Sequence, residues 1–139
     1  MKPKQKISLV IIVIVIMAIA IPLTWYFSPK TFLSGTKPSD VKSISVFDGN
    51  TGKGFNISDT DEIRYIVENI QGIKLERDNI SIGYSGYSFR VRFCNEAGKE
   101  IESFIINSAN TIRKDPFFYR CDGGLCFDYL KELEDKYSH

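Results

Sequence analysis

The sequence predicts an α+β protein: an N-terminal transmembrane helix is followed by a small domain in which two helices pack on one face of an antiparallel sheet. Three observations lead to this prediction. Residues 7–27 form an uncharged apolar segment, short alternating runs separated by turn signals follow it, and two later segments carry apolar residues at helical spacing. Hairpins dominate and leave little room for crossovers, so the strands are expected to be antiparallel.

Length and composition allow one domain beyond the apolar segment. The chain has 139 residues, and a folded unit usually needs about 100–150. From Val41 onward the chain carries 13 basic and 16 acidic side chains, a net charge of −3. We therefore expect no nucleic acid partner, because such a partner calls for a basic surface.

The apolar segment predicts a single-pass anchor in the cytoplasmic membrane. At about 1.5 Å per helical residue, residues 7–27 match a hydrocarbon core of roughly 30 Å. Three lysines stand in the stub formed by residues 1–6, so the positive-inside bias places this stub in the cytoplasm. The domain, residues 41–139, is then expected outside. Trp25 and Tyr26 lie at the predicted outer boundary, where amphipathic rings favour the headgroup region.

Cleavage of this segment as a signal peptide is the alternative. Ala18-Ile19-Ala20 has the small-x-small form that a signal peptidase accepts, but apolar residues continue to Phe27. The domain is exported under either interpretation. Residues 28–40 follow with two prolines, a glycine and several small polar residues, a composition that predicts a solvated, flexible linker without a packed face.

The first half of the domain is predicted to be a hairpin followed by a helix. Residues 41–47 alternate between two faces, and Asp48-Gly49 gives a turn signal before the short run 55–57. Asp59 is a suitable N-cap, and apolar residues recur at helical spacing until Gly72. This apolar stripe consists of Ile63, Ile66, Val67 and Ile70.

The second half is predicted to be a series of short strands and a last helix that begins near Asp128. The predicted strands are residues 73–77, 89–94, 99–107, 111–114 and 117–121. The second and third of these should form a hairpin, with Arg90 and Arg92 facing Glu100 and Glu102. The resulting order is β-β-α-β-β-β-β-β-α.

The stretch from Ile82 to Ser88 is the candidate binding loop. Its glycines present Tyr84, Ser85 and Tyr87, a composition suited to adaptable recognition. Arg90 and Arg92 on the adjacent strand complete the candidate site. The alternative is that the tyrosines cover the rim of the core while the glycines permit a turn.

Cys121 and Cys126 flank a four-residue turn, a spacing compatible with a disulfide in an exported domain. Two unlinked thiols are the alternative, and Cys94 is left over. We expect no metal or cofactor, since the only histidine is His139 and tetrahedral zinc requires four close ligands.

No catalytic constellation can be assembled from these residues. The acidic pairs Asp59/Asp61 and Glu132/Glu134 have structural explanations as a helix cap and a solvated helix face. The leading hypothesis is therefore a non-enzymatic binding or interaction module with a protein or cell-envelope partner. The alternatives are a small cell-envelope hydrolase that uses carboxylates and an accessory subunit of a membrane complex.

Several stretches resemble small uncharacterised membrane-anchored or exported domains of Gram-positive bacteria. They are Asp48-Gly49-Asn50-Thr51-Gly52-Lys53 and the helix after it, residues 83–88, residues 105–108, Thr111-Ile112-Arg113 and Phe117-Phe118-Tyr119. The resemblance spans most of Val41 to Tyr137. It implies a bacterial, anchored and extracytoplasmic setting, but no activity or catalytic residue.

Overall fold

A seven-stranded antiparallel sheet forms the centre of the C-terminal domain, as the computed structural model, which describes residues 1–138, shows. The predicted α+β class is confirmed. The helices are α1 (Pro3–Phe27), α2 (Thr60–Gln71) and α3 (Phe127–Tyr137). The strands are β1 (Ser43–Asp48), β2 (Gly54–Ile57), β3 (Glu76–Ile80), β4 (Phe89–Cys94), β5 (Glu100–Ser108), β6 (Thr111–Lys114) and β7 (Phe117–Arg120).

The strands are arranged in the order β2-β1-β4-β5-β6-β7-β3, and each neighbouring pair is antiparallel. The predicted β4–β5 hairpin is present, but the predicted charge pairing across it is wrong. Arg90 lies opposite Ile105 and Arg92 opposite Ser103, because a bulge after Phe93 shifts the register. Glu102 instead accepts hydrogen bonds from the Leu33 backbone N–H at 3.0 Å and from Lys114 Nζ at 2.9 Å.

The core lies between one face of the sheet and the helices α2 and α3. The α2 stripe predicted from the sequence is fully buried, and α3 contributes Leu130 and Leu133. Asp59 caps α2 by accepting hydrogen bonds from the N–H groups of Asp61 and Glu62. The sheet contributes Ile44, Val46, Phe55, Ile57, Phe89, Val91, Phe93, Phe104, Ile106, Ile112 and Tyr119 to the core.

The prediction that residues 28–40 form a solvated linker without a packed face requires correction. Phe32 and Leu33 are 0% and 1% exposed, and the Phe32 ring packs against Phe104 and Tyr119. Gln71 of α2 donates a hydrogen bond to the Leu33 carbonyl at 2.8 Å. Two apolar side chains therefore attach this segment to the core, and the average composition of the segment concealed them.

Helix α1 has no buried residue, although its side chains are overwhelmingly apolar from Ile7 onward. It is long and apolar enough to cross a membrane. Its C-terminal end lies beside β3, where the Arg77 guanidinium stands over the rings of Trp25 and Tyr26 at 5.4 and 4.5 Å. Apart from these contacts at its C-terminal end, the described residues leave the apolar surface of α1 exposed.

The connection between β3 and β4 crosses the second face of the sheet. The chain must travel from the edge strand β3 past β7, β6 and β5. Ser81 N–H donates to the Pro116 carbonyl at 2.8 Å at one end of this connection, and Ser88 N–H donates to Asn107 Oδ1 at 3.2 Å at the other. Residues 81–88, named here the crossing loop, therefore cover part of the face that the helices leave free.

Candidate functional site

Two rows of side chains form the second face of the sheet, because alternate residues of each strand point away from the core. One row is polar and contains a single cation. The other mixes aromatic groups with two guanidinium groups. The rows are Asn56-Ser45-Arg92-Ser103 and Phe47-Arg90-Ile105-Arg113-Phe118, with each residue opposite the next in register.

The crossing loop buries one end of the second row. Arg113 is 9% exposed, and its Nε donates to Asp115 Oδ1 at 2.9 Å. Ser81 of the crossing loop donates its hydroxyl to the same carboxylate. These two donors, Arg113 first and Ser81 second, hold the pKa of Asp115 below its usual value. This half of the face is thus a satisfied network that attaches the loop to the sheet.

The other half of the face is left uncovered and carries Arg90 and Arg92, which are both exposed. The Arg90 guanidinium stands 4.4 Å from the centre of the Tyr87 ring, and Tyr87 packs against Phe47 at 6.4 Å between ring centres. Arg90 is thereby held in place by a cation–π contact. We name Ser45, Phe47, Tyr87, Arg90 and Arg92 the cationic patch.

Two shallow depressions adjoin Arg90. One, of about 190 Å³, is lined by Ser45, Phe47 and Arg92 in addition to Arg90. The other, of about 200 Å³, lies toward Ser103 and Ile105. The cationic patch is therefore a surface for a group of a few atoms or for an extended chain that runs over it.

The two guanidinium groups of the cationic patch have no acidic partner within the described protein. None of the ion pairs found among residues 1–138 includes Arg90 or Arg92. The nearby Glu100 carboxylate accepts a hydrogen bond from the Ser103 hydroxyl at 2.8 Å. A guanidinium group presents donors in a fork that matches carboxylate and phosphate oxygens, so the patch is chemically suited to an anionic group.

The structure divides the predicted binding residues into two groups. Tyr87, Arg90 and Arg92 belong to the cationic patch. Tyr84 instead packs edge-on against Phe118 at 5.2 Å, over the half that the crossing loop covers. Ser85 is exposed and makes no side-chain hydrogen bond to another residue of the described chain. The two tyrosines of the crossing loop therefore contact different halves of the second face.

Sequence reasoning missed Ser45 and Phe47 as members of the patch. Both residues were predicted to lie on one face of the first strand, and this alternation is correct. Their proximity to Arg90 and Arg92 follows from the pairing of β1 with β4, two strands separated by a helix and further strands in the chain. Only the tertiary arrangement provides that register.

Asp59 caps a helix as expected, but the expectation that Glu134 lies on a solvated helix face is wrong, because Glu134 is buried. The hydrogen bonds that Asp59 accepts at the start of α2, first from the backbone of Glu62, hold its pKa below the usual value. Glu134 is 7% exposed and accepts a hydrogen bond from the Thr51 hydroxyl at 2.6 Å. A separate depression of about 670 Å³ is lined by two other carboxylates, Asp40 and Glu96.

All three cysteines are free thiols in the structure, and Cys121 and Cys126 are not linked to each other. Cys126 is buried at the start of α3, and burial raises the pKa of its thiol to about 12. The Cys121 thiol contacts the Gly123 carbonyl at 3.6 Å. Among residues 1–138, no group of three or more histidine, cysteine or acidic residues is placed to hold a metal ion.

Comparison with protein-family models, with curated proteins and with solved structures finds no match to this chain.

Proposed function

We propose that the chain is a single-pass, membrane-anchored binding module without enzymatic activity, whose cationic patch captures an anionic group of a protein or cell-envelope partner. Helix α1 supports the anchor, because its apolar side chains are exposed along its length and require a non-aqueous environment. The lysines of residues 1–6 support an orientation with the N-terminus in the cytoplasm and the domain outside.

The observation that carries the binding proposal is the contrast in charge pairing on the second face. Arg113 is buried and paired, whereas Arg90 and Arg92 are exposed and take part in no ion pair among the described residues. They stand at alternate positions of one strand, so their Cα atoms are about 6.5–7 Å apart. Successive anionic groups of an extended ligand can contact both.

The chemistry favours carboxylates or phosphates as the recognised groups. A guanidinium group can donate two parallel hydrogen bonds to either anion, and an exposed ion pair of this kind contributes roughly 0.2–1 kcal/mol. The flanking hydroxyl of Ser45 and the ring of Phe47 add polar and apolar contacts beside the charges. The resemblance to Gram-positive exported domains supports a bacterial envelope as the setting.

Binding of defined polyanions tests this proposal. The full chain, reconstituted in lipid nanodiscs, is titrated with fluorescent polyphosphate and with fluorescent polyglutamate. The double variant Arg90→Gln plus Arg92→Gln should bind at least one of these probes about tenfold more weakly, since about 1.4 kcal/mol corresponds to a factor of ten. Raising the salt concentration should weaken binding to the wild type.

Arg64→Gln plus Lys131→Gln is the matched control, because it also removes two positive charges, here from exposed side chains of α2 and α3. If this control loses as much affinity as the double variant, or if neither probe binds the wild type, the cationic patch is not the binding surface. Tyr87→Ala should weaken binding because it removes the ring that supports Arg90, whereas Tyr84→Ala should leave binding unchanged.

The orientation is tested by labelling from outside intact cells. A tag placed after residue 138 should be accessible to an impermeant reagent, and a tag before residue 3 should not. The size of the mature chain distinguishes anchoring from cleavage after Ala20, because cleavage shortens the product by 20 residues. A C-terminal tag protected in intact cells and labelled only after lysis would contradict the proposed location.

A carboxylate hydrolase is the second candidate, and one observation favours it. Asp40 and Glu96 line the same depression of about 670 Å³, and two carboxylates in a cleft are the minimum for acid–base hydrolysis. It ranks second because Asp40 already accepts a hydrogen bond from the Lys37 N–H at 3.2 Å. Hydrolysis of purified cell-wall glycan that Asp40→Asn and Glu96→Gln each abolish would favour this candidate over the binding module.

A further inference from the structure

The largest exposed apolar side chains outside α1 are close together in the chain. Ile80, Ile82 and Tyr84 are 61%, 69% and 62% exposed. Ile80 ends β3, and the other two belong to the crossing loop. Most of the domain's other large apolar residues are buried, so we name these three the apolar edge; among them only Tyr84 has an aromatic partner, Phe118.

The path of the chain shows where this edge lies relative to α1. Lys30 pairs antiparallel with Leu75, just before β3 begins. Farther back along the chain, Tyr26 and Trp25 lie beside Arg77. The two segments are antiparallel. The chain that precedes Lys30, including the end of α1, therefore lies beside the residues that follow Leu75, in the direction of Ile80. Helix α1 therefore leaves the domain on the side where the apolar edge is exposed.

Contacts between α1 and the sheet hold this arrangement. The ring of Tyr26 packs edge-on against Phe117 at 6.0 Å between centres, and Phe117 is the cross-strand partner of Ile80. The Arg77 guanidinium lies 4.4 Å from the centre of the Phe117 ring. Only Ser28 and Pro29 separate α1 from Lys30, which is already paired with the domain. The domain thus begins at the end of the helix.

We propose that Ile80, Ile82 and Tyr84 dock onto the bilayer that α1 spans. Trp25 and Tyr26 mark the level of the headgroups at the end of such a helix. Tyr26 contacts Phe117, and Phe117 lies opposite Ile80, so the apolar edge is close to the level of the headgroups. Its partner is therefore the lipid surface itself, and the domain lies against the membrane instead of hanging from a tether. This inference rests on the proposed anchor.

Quenching of tryptophan fluorescence by brominated lipids tests the docking. Trp25 is the only tryptophan, so Trp25→Phe provides a background without tryptophan. In that background, Ile82→Trp is made in the full chain and reconstituted into vesicles of phosphatidylcholine and phosphatidylglycerol brominated near the headgroup end of the acyl chains. Phe47→Trp is the matched control, because Phe47 is 40% exposed and its strand lies five positions from β3 in the sheet, roughly 24 Å away.

The proposal predicts that brominated lipids reduce the fluorescence of the Ile82→Trp variant at least twofold and leave that of the Phe47→Trp variant unchanged. Ile80→Trp is the second variant, and circular dichroism shows whether each variant is folded. Quenching of native Trp25 in the wild type, without quenching at position 80 or 82, would overturn the docking and preserve the anchor. A wild type that does not insert, with Trp25 unquenched, would overturn both.

Discussion

Two segments of this chain look alike in sequence and behave differently in the structure. Residues 28–40 and the crossing loop are both rich in small polar residues and glycine or proline, and both suggest mobile connections. The first segment buries Phe32 and Leu33 in the core, whereas the second leaves Ile82 and Tyr84 exposed. The position of a few apolar side chains, rather than average composition, decides whether such a segment belongs to the core or is available to partners.

Removing the buried Phe32 ring of residues 28–40 should have the largest effect on stability. Phe32→Ala deletes a ring with no solvent exposure that packs against Phe104 and Tyr119. We expect the free energy of unfolding to fall by about 3–5 kcal/mol. Urea unfolding of the detergent-solubilised chain, followed by circular dichroism, measures this loss. A loss below about 1 kcal/mol would mean that residues 28–40 act as the solvated linker first expected.

Removing Arg113, which helps to attach the crossing loop to the sheet, should have an intermediate effect on stability. Arg113→Ala leaves Asp115 without its guanidinium partner and removes a buried donor beneath the crossing loop. We expect a loss in the same unfolding experiment that is smaller than that of Phe32→Ala, because most of the Arg113 side chain is buried but water can solvate the exposed Asp115 carboxylate. Arg92→Ala is the control and should cost less than about 0.5 kcal/mol, because Arg92 is exposed. If Arg113→Ala and Arg92→Ala destabilise the protein equally, the two halves of the second face do not differ in their contribution to stability.

Truncating the exposed ring of the crossing loop should change stability little. Tyr84→Ala removes one edge-on contact with Phe118, and such a pair contributes about 0.5–1.5 kcal/mol when well packed. Since Tyr84 is 62% exposed, we expect a loss below about 1 kcal/mol by urea unfolding. A loss comparable with that of Phe32→Ala would show that the crossing loop is part of the core.

Loss of the Asp115 charge at low pH should have the smallest effect on stability. The pKa of Asp115 is held below its usual value of 3.8, first by Arg113 and then by Ser81. Its charged form therefore stabilises the fold above pH 3.8, and this stability is lost as the pH falls through the lowered pKa. The midpoint of urea unfolding in the wild type should decrease more steeply with acid than that of Asp115→Asn.

Asp59 has a pKa lowered in the same direction and is present in both proteins, so some acid sensitivity persists in Asp115→Asn. The decisive quantity is the difference between the two pH profiles. Identical profiles between about pH 5 and pH 2.5 would show that the bond between Arg113 and Asp115 is not linked to folding.

Most of the domain's elements were predictable from local patterns. The apolar stripe of α2, its Asp59 cap and the alternation in β4 are local features, and the structure contains each of them. One error concerned pairing, because the bulge after Phe93 places Glu102 opposite Phe93 and Ser103 opposite Arg92. A shift of register depends on backbone geometry that neither strand encodes alone.

The candidate site was only partly predictable for the same reason. Tyr87, Arg90 and Arg92 were identified from a flexible loop beside a strand, and the structure brings them together. Tyr84 was assigned to the same site and lies elsewhere, against Phe118. The path of the crossing loop separates the two tyrosines, and this path is set by where β3 and β4 lie in the sheet.

The sequence by itself determined the apolar helix α1, the α+β class and the order of the strands and helices, because hydrophobic periodicity and caps act over a few residues. Only the tertiary structure decided that Phe32 and Leu33 enter the core, that Arg113 is buried while Arg90 and Arg92 stay exposed, and that Ile80 lies on the side from which α1 leaves the domain. Each of these facts depends on which distant strands become neighbours, and long-range pairing is selected by the packing of the whole core.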